Sequence, residues 1–344
     1  MPLRVNTEEF LALRFPIFDV RSPIEFEKGH IPDAINLPLF TNEEREIVGT
    51  AYVKQGKDEA IKIGLEKVQS KLVSFVENVN IVAKGKNIRL HCWRGGLRSK
   101  NMAWLLETAG YNVYILENGY KAYRQFVKDF FEKQFKLIVI GGMTGTGKTE
   151  ILNYIKSKGQ QVIDLENLAN HKGSVFGHFG QLKQPKTEHF ENLLSNSLIN
   201  LDLNKPIWIE DESLTIGTVY IPANFHKQMQ TAKFILLEKN IEERAKRLVI
   251  EYAHFDKELL INSINRISRK IGGDHAQVII SYIIKDDFFN AILKTLVYYD
   301  KKYRFSLNVN HNNNVTKLEI NSLVLQEIYS NLLTLQQNND NGGN

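Results

Sequence analysis

The only cysteine of this 344-residue chain lies in Leu90-His91-Cys92-Trp93-Arg94-Gly95-Gly96-Leu97-Arg98-Ser99. A cysteine acts as a nucleophile through its thiolate, and positive charge nearby favours that form. Arg94 and Arg98 supply such charge. An apolar, strand-like run over residues 87–90 precedes the loop, and a helical pattern over 99–108 follows it. That junction aims backbone N–H groups and the positive end of a helix dipole into the loop. Gly95 and Gly96 let the backbone turn tightly and approach a ligand. Trp93, Gly95, Gly96, Leu97 and Ser99 therefore frame an anion loop, with Cys92, Arg94 and Arg98 as its catalytic candidates. The competing reading is a small buried core cysteine; the flanking glycines and arginines favour the cradle.

A second cradle is Gly142-Met143-Thr144-Gly145-Thr146-Gly147-Lys148-Thr149. It follows an apolar run at 136–140 and precedes a helical pattern at 150–158, closed by Gly159. This is a Walker A loop in the strand–loop–helix setting that its chemistry needs. Amides around Gly142, Gly145, Thr146 and Gly147 would wrap phosphates. Lys148 would reach the terminal pair, and Thr149 would ligate Mg²⁺ if that ion takes part. Glu210, Asp211 and Glu212 end a strand at 207–209, where a Walker B carboxylate would stand; an exposed acidic turn is the alternative. His171, Gly173 and Ser174 belong to a Gly- and His-rich stretch at 171–180 that reads as an ordered loop. No metal site is expected there, since the histidines lack neighbouring Cys or carboxylates. Arg244 and Arg247 read as lid arginines or as a solvated helix face. Residues 266–273 and 298–303 mix basic, aromatic and glycine residues. They read as nucleic-acid contacts or as surface helix ends.

Strands alternate with helices, which predicts α/β layers. Strands are expected at 17–20, 87–90 and 113–116, with helical sequence over 42–78 and 99–108 and from Asn118 onward. After a charged linker at 129–134, strands are expected at 136–140, 161–165, 207–209 and 233–237, and a helix at 242–252. The expected domains are 1–130 and 131–335, the second with a helical C-terminal part. A disordered Asn/Gly-rich tail is expected at 336–344, within a stretch rich in Gln, Asn and Gly past Asn331.

The length exceeds one ordinary core, so two domains are expected. A net charge of +5 permits a polyanionic partner without demanding one. One cysteine excludes an internal disulfide and leaves no second thiol to resolve an intermediate on Cys92. The first fifteen residues lack an apolar signal core, and no run approaches the ~18 apolar residues of a membrane span. The expectation is a cytoplasmic protein without membrane contact.

Asp19-Val20-Arg21-Ser22-Pro23-x-Glu25-Phe26, then Gly29-His30-Ile31-Pro32-x-Ala34-Ile35-Asn36, then the Cys92 loop, resemble a rhodanese domain over about residues 5–130. The resemblance implies a sulfur or selenium atom carried on Cys92 as a persulfide or perselenide. Five residues separate Cys92 from Arg98, where the common rhodanese pattern has four. His91-Cys92-x-x-Gly95-x-x-Arg98-Ser99 also fits the signature of cysteine-dependent phosphatases, although the chain lacks their Trp-Pro-Asp tripeptide. The wider loop suits a phosphate-sized ligand.

With Gly119-Tyr120-Lys121-Ala122-Tyr123-Arg124, the Walker A loop, His171-x-Gly173-Ser174-x-Phe176-Gly177, Glu210-Asp211-Glu212-Ser213 and Tyr298-Tyr299-Asp300, the whole chain up to its tail resembles the tRNA 2-selenouridine synthase family. That resemblance implies exchange of sulfur for selenium at wobble 2-thiouridine of tRNA. It implies selenophosphate and geranyl diphosphate as substrates, no tightly bound cofactor, and an S-geranyl-2-thiouridine intermediate. The selenophosphate-producing enzyme is the expected protein partner. Two rivals stay open: a P-loop kinase or ATPase regulated by its rhodanese domain, and a Cys92-dependent phosphatase.

Overall fold

The computed structural model describes residues 2–310, 315–321 and 323–337. The chain forms two compact units. The first comprises Met1–Glu132 and Pro185–Asn196, the second Lys133–Gln184 and Ser197–Asn344. The expected disordered tail falls outside the described residues from 338 on; Gln336 and Gln337 instead close the last helix, Leu325–Gln337.

In the first unit, β1 (Leu3–Val5), β2 (Ile17–Asp19), β3 (Ala34–Asn36), β4 (Asn87–His91) and β5 (Asn112–Leu116) make one sheet. Its order is β1-β5-β4-β2-β3, and every pairing is parallel. Ile88 and Leu90 of β4 and Val113 and Ile115 of β5 are buried on a core shared with Phe18, Val79, Met102 and Leu106. Near-continuous apolar strands are the mark of a parallel sheet covered on both faces. The expected helical stretch at 42–78 is three α-helices, Asn42–Lys54, Lys57–Val68 and Leu72–Val82. Gly56, at φ +94°, breaks the first from the second. The sequence reading missed two short helices, Thr7–Ala12 and Pro23–Lys28, each too brief to show a period.

In the second unit, β6 (Leu137–Gly142), β7 (Gln161–Ile163), β8 (Ile207–Glu210), β11 (Lys233–Glu238) and β12 (Val315–Glu319) form a parallel sheet. Its order is β12-β11-β6-β8-β7. β9 (Thr215–Ile216) and β10 (Val219–Tyr220) pair as a separate hairpin. β6 is central and buried along its length. The chain steps to β7 on one side of β6 and later to β11 on the other, so the loop after β6 lies where an open α/β sheet binds ligands. Four helices, Ile241–Tyr252, Lys257–Ile271, Gly273–Ile284 and Phe288–Asn310, build a second core around Ile264, Ile279, Ile283 and Leu296. The basic segment at 266–273 belongs to two of these helices and is split at Gly272, φ +92°.

Candidate active sites: the Cys92 loop and the P-loop cavity

Cys92 follows the end of β4, and the helix Leu97–Thr108 begins five residues later. Its side chain is buried, with Sγ 3.2 Å from the Ser99 hydroxyl, which donates to the Gly96 carbonyl at 3.1 Å. The loop is clamped from the next helix, Gly119–Phe130. Tyr120 N–H donates to the Cys92 carbonyl at 2.8 Å, and Lys121 N–H to the Trp93 carbonyl at 3.0 Å. Gly119 makes this approach, at φ +59°. A Cβ there would lie 2.4 Å from the Cys92 oxygen and 2.6 Å from the Gly95 nitrogen, so no other residue fits. With its carbonyls held from behind, the loop is a fixed frame around the sulfur.

The two arginines go to different places. Arg98 makes a two-pronged ion pair with Glu25, Nη1–Oε2 2.6 Å and Nη2–Oε1 3.2 Å, and its charge is close enough to couple with the Cys92 sulfur. Glu25 Oε2 also accepts from the Ser22 N–H at 3.1 Å. Burial raises the Glu25 pKa, but Arg98, the Ser22 amide and Arg45 together hold it below the ordinary value. Arg94 is exposed, in a shallow hollow with Asn6, Thr7, Glu8 and Asn118. Trp93 is half-buried beside the Tyr120 ring, and Leu97 is exposed.

Beneath the loop lies a buried polar layer. Asp19 pairs with Arg21, Nη2–Oδ2 2.5 Å; Arg21 donates to the Gly29 carbonyl at 2.7 Å and lies 3.7 Å from the Tyr120 ring centre. Asn36 Nδ2 donates to the carbonyls of Asp19 and Arg21, both at 2.9 Å. The Asp-Val-Arg, Gly-His and Ala-Ile-Asn motifs are thus stitched together as scaffold. His91 is wholly buried, 3.7 Å from Asp19, and burial pushes its pKa down to about 4. The helix Thr187–Ile199 joins this layer. Tyr120 donates to Glu188 Oε1 at 3.1 Å and accepts from Asn192 at 2.8 Å, while Arg124 holds Glu191 and Asn192. The sequence reading missed this helix segment, whose partners are more than sixty residues away.

The second site is a cavity of about 760 Å³ over the Walker loop, walled by the 144–149 backbone, Lys172–Ser174, Glu212, Arg247 and Tyr303. Gly145 and Gly147 take φ +85° and +94°. Lys148 begins the helix Lys148–Ser157, and its Nζ donates to the Gly142 carbonyl at 3.0 Å, across the loop. Arg244 is buried. It pairs with Asp300 at 2.6 Å and donates to the Thr144 carbonyl at 3.0 Å, so it braces the loop from beneath. Arg247 lines the cavity and pairs with Glu150.

The three acidic candidates diverge. Glu210 is buried, and its Oε1 accepts the Glu166 N–H at 2.8 Å. Asp211 Oδ2 accepts from the Tyr303 hydroxyl at 2.8 Å, and that hydroxyl accepts the Gly142 N–H at 2.9 Å. Glu212 turns toward Glu166, whose Oε2 accepts from the Thr149 hydroxyl at 3.2 Å. Burial, then mutual repulsion with Asp164 and Glu166, holds the Glu210 pKa well above the ordinary range. Burial and Glu166 do the same to Glu212. The 171–180 loop folds on itself through Lys172 N–H to Gly177 O, 2.9 Å, and Gly177 N–H to Ser174 O, 2.9 Å. His171 Nδ1 accepts the Gly173 N–H at 3.1 Å, so this histidine shapes the loop. Gly173, at φ +69°, sits where a Cβ would be 3.0 Å from Glu212 Oε1.

The comparisons agree with both halves of this geometry. A family model described as tRNA 2-selenouridine synthase AAA domain matches residues 135–330, and a rhodanese-like domain model matches 5–126. A tRNA 2-selenouridine synthase of Shewanella pealeana is 38% identical over 246 residues, covering 70% of this chain and 66% of that protein. Proteins of the same name from Shewanella denitrificans and Shewanella frigidimarina are 36% and 34% identical, covering 80% and 85% of this chain and 80% and 88% of their own. The chain belongs to the tRNA 2-selenouridine synthase family.

In this member of the family, the structure brings Cys92, Gly95, Gly96 and Ser99 together and places Arg98 beside them on Glu25. It brings Gly142, Gly145, Thr146, Gly147, Lys148 and Thr149 around one cavity with Gly173, Ser174, Asp211 and Glu212. Residues 298–303 correct the nucleic-acid reading at three positions. Tyr299 accepts the Val175 N–H at 3.1 Å, Asp300 holds Arg244, and Tyr303 binds Gly142 and Asp211. These side chains sit at the base of the P-loop site. Glu25, Glu166 and Tyr303 were missed as site residues; Glu25 alone had a signal, three positions after Ser22 ahead of a helix. No described helix is long and apolar enough to cross a membrane.

Proposed function

We propose that this chain is a tRNA-modifying transferase that replaces the sulfur of wobble 2-thiouridine with selenium from selenophosphate, by way of an S-geranyl intermediate made from geranyl diphosphate. The observation that carries the reading is Cys92, the single thiol, held by the Gly119–Lys121 clamp at a helix N-terminus in a chain of this family. The substrates are the cytoplasmic tRNA, the allylic diphosphate and selenophosphate, the last delivered by the enzyme that makes it. The exposed Arg266, Arg269 and Lys270 suit contacts to tRNA phosphates.

In the first step the thiocarbonyl sulfur attacks carbon 1 of the geranyl group and the base loses its N3 proton to solvent. The carbon–oxygen bond breaks, and diphosphate leaves with the electron pair. Lys148 and the amides from Gly145 to Thr149 stabilise the charge that grows on it. The Thr149 hydroxyl and the Glu166 and Glu212 carboxylates converge as a set that would hold Mg²⁺, which would neutralise part of that charge.

Alkylation makes carbon 2 an electrophile. Selenium of selenophosphate attacks it, and geranylthiolate leaves with the carbon–sulfur pair. The phosphoryl group then passes from selenium to the Cys92 sulfur. The selenium–phosphorus bond breaks with its pair on selenium, N3 regains a proton, and water hydrolyses the cysteinyl phosphate. Selenium enters and leaves at the selenide level, so no oxidant is needed. A perselenide on Cys92 would require removing two electrons, and the phosphate-sized loop takes its place in this scheme.

The test is nucleoside mass spectrometry of 2-thiouridine tRNA incubated with the protein, geranyl diphosphate and selenophosphate. The expected products are transient S-geranyl-2-thiouridine and then 2-selenouridine. Unchanged 2-thiouridine with folded protein would sink the reading. Nucleotide hydrolysis needing Lys148 but not Cys92 would then favour the kinase or ATPase alternative.

A further inference from the structure

Beside the P-loop cavity lies a small apolar hollow that the scheme above leaves unused. It sits inside the four-helix core, walled by Ile264, Ile283, Phe288, Ala291, Ile292 and Leu296. Thr295 also reaches it, but its hydroxyl is taken by the Ala291 carbonyl at 2.8 Å. Free room is about 40 Å³, which is that of roughly three water-sized groups. A space lined this way stays dry, since water would find no partners.

Five residues wall both spaces: Thr144, Ser174, Leu248, Tyr252 and Tyr299. Three of the polar groups on this shared wall already have partners. Tyr299 holds the Val175 N–H, the Thr144 carbonyl holds Arg244, and Ser174 bonds Tyr252. Anything passing from the large cavity into the hollow therefore meets a wall whose polar groups are mostly engaged with one another. An empty space forfeits dispersion contacts on every wall, which close-packed cores avoid. Here one is kept against a phosphate-binding loop, and the ligand that fits both is a diphosphate ester with an apolar tail.

We propose that this hollow receives the branched end of the geranyl chain, its terminal carbon and two methyls, while the diphosphate lies on the P-loop. The inference rests on the diphosphate reading of that loop. The hollow is too small for ten carbons, so the proximal carbons stay in the larger cavity, which leaves carbon 1 open to the tRNA sulfur. Chain length, rather than the diphosphate, then decides which ester is used.

The experiment is calorimetric titration of the full chain with inorganic diphosphate, dimethylallyl diphosphate and geranyl diphosphate. Burial of each methylene is worth about fourfold in affinity, so geranyl diphosphate should bind at least about tenfold tighter than the five-carbon ester. Ala291→Phe fills the hollow and should bring the two esters to within about twofold. Ile292→Trp serves if Ala291→Phe does not fold, and Ile284→Phe, exposed on a neighbouring helix, is the control that keeps the preference. A geranyl preference that survives in a folded, filled variant overturns the proposal. Equal binding of all three ligands to the unaltered protein overturns it too, but leaves the P-loop reading standing. No binding of any of them overturns the P-loop reading and this proposal together.

Discussion

The Cys92 loop and the P-loop have the same topology and opposite electrostatics. Each follows the buried central strand of a five-stranded parallel sheet and opens a helix. Around Cys92 the carboxylates are ionised and matched: Asp19 with Arg21, Glu25 with Arg98, both pKa values held down against burial. Around Lys148 the carboxyls crowd one another, and Asp164, Glu166, Glu210 and Glu212 are all pushed up by burial. A loop with balanced charge presents its backbone amides to an anion. A loop among crowded carboxyls with raised pKa values favours a cation, or a polyanion that brings its counterion. A strand–loop–helix junction therefore specifies where an anion binds, and the neighbouring side chains decide how its charge is met.

The largest effect should come from separating the two centres. Cys92→Ser should abolish 2-selenouridine formation while S-geranyl-2-thiouridine still accumulates, read by nucleoside mass spectrometry. Loss of both products from a folded variant would break the assignment of one step to each loop. Lys148→Ala should lower the geranylation rate about 10²- to 10³-fold, the usual cost of removing one charge-stabilising donor. It should also spare selenation of tRNA supplied already S-geranylated; slow selenation of that substrate would join the two loops in one step.

Much of this contrast was legible in sequence, and its gaps have physical causes. The glycine and basic residues of both loops declare themselves locally, because a tight turn and an anion site constrain adjacent positions. The flanking strands were found to within a residue or two, since parallel strands are continuous apolar runs. What stayed hidden depends on distant partners. Asp300 and Tyr303 read as part of a basic-aromatic surface, yet they brace the P-loop through Arg244 and Gly142 more than fifty residues away. Residues 185–196 gave no hint that they fold with the first unit. Glu166 follows a strand in no recognisable motif, and only the fold lays it against Thr149.

The opposite carboxyl populations predict opposite responses to acid. In the first unit the His91 pKa is depressed by burial to about 4, as is that of His189, while Asp19 and Glu25 are lowered. The folded unit therefore binds fewer protons than the unfolded chain, and its stability falls as pH drops below the ordinary histidine value. Between pH 6.5 and 5.5, His91 alone should cost about 1 kcal/mol. In the second unit the raised carboxyls make the folded form bind more protons, so stability rises as pH falls toward their ordinary values; the lowered His171 opposes this in part. Hydrogen exchange at pH 7.5 and 5.5, corrected for intrinsic rates, should show protection decreasing in 87–116 and increasing in 137–142 and 207–210. Parallel changes in both units would remove the electrostatic distinction.

The smallest effect is the most discriminating, because its sign is at stake. Glu25→Gln removes the carboxylate charge that occupies Arg98, and keeps an oxygen to accept the Ser22 N–H. If Arg98 grips the phosphate of selenophosphate, the released guanidinium should lower KM for selenophosphate about two- to fivefold, the worth of one partly buried ion pair no longer in competition. The rate at saturation should change little. If Arg98 serves only to pin the helix Pro23–Lys28 to the loop, the same substitution loosens the frame around Cys92. KM then rises and the melting temperature drops. Measuring both for Glu25→Gln, with Arg98→Lys alongside, separates the two: a lower KM at nearly unchanged Tm places Arg98 on the substrate, whereas a higher KM with a lower Tm leaves the backbone amides as the whole anion cradle.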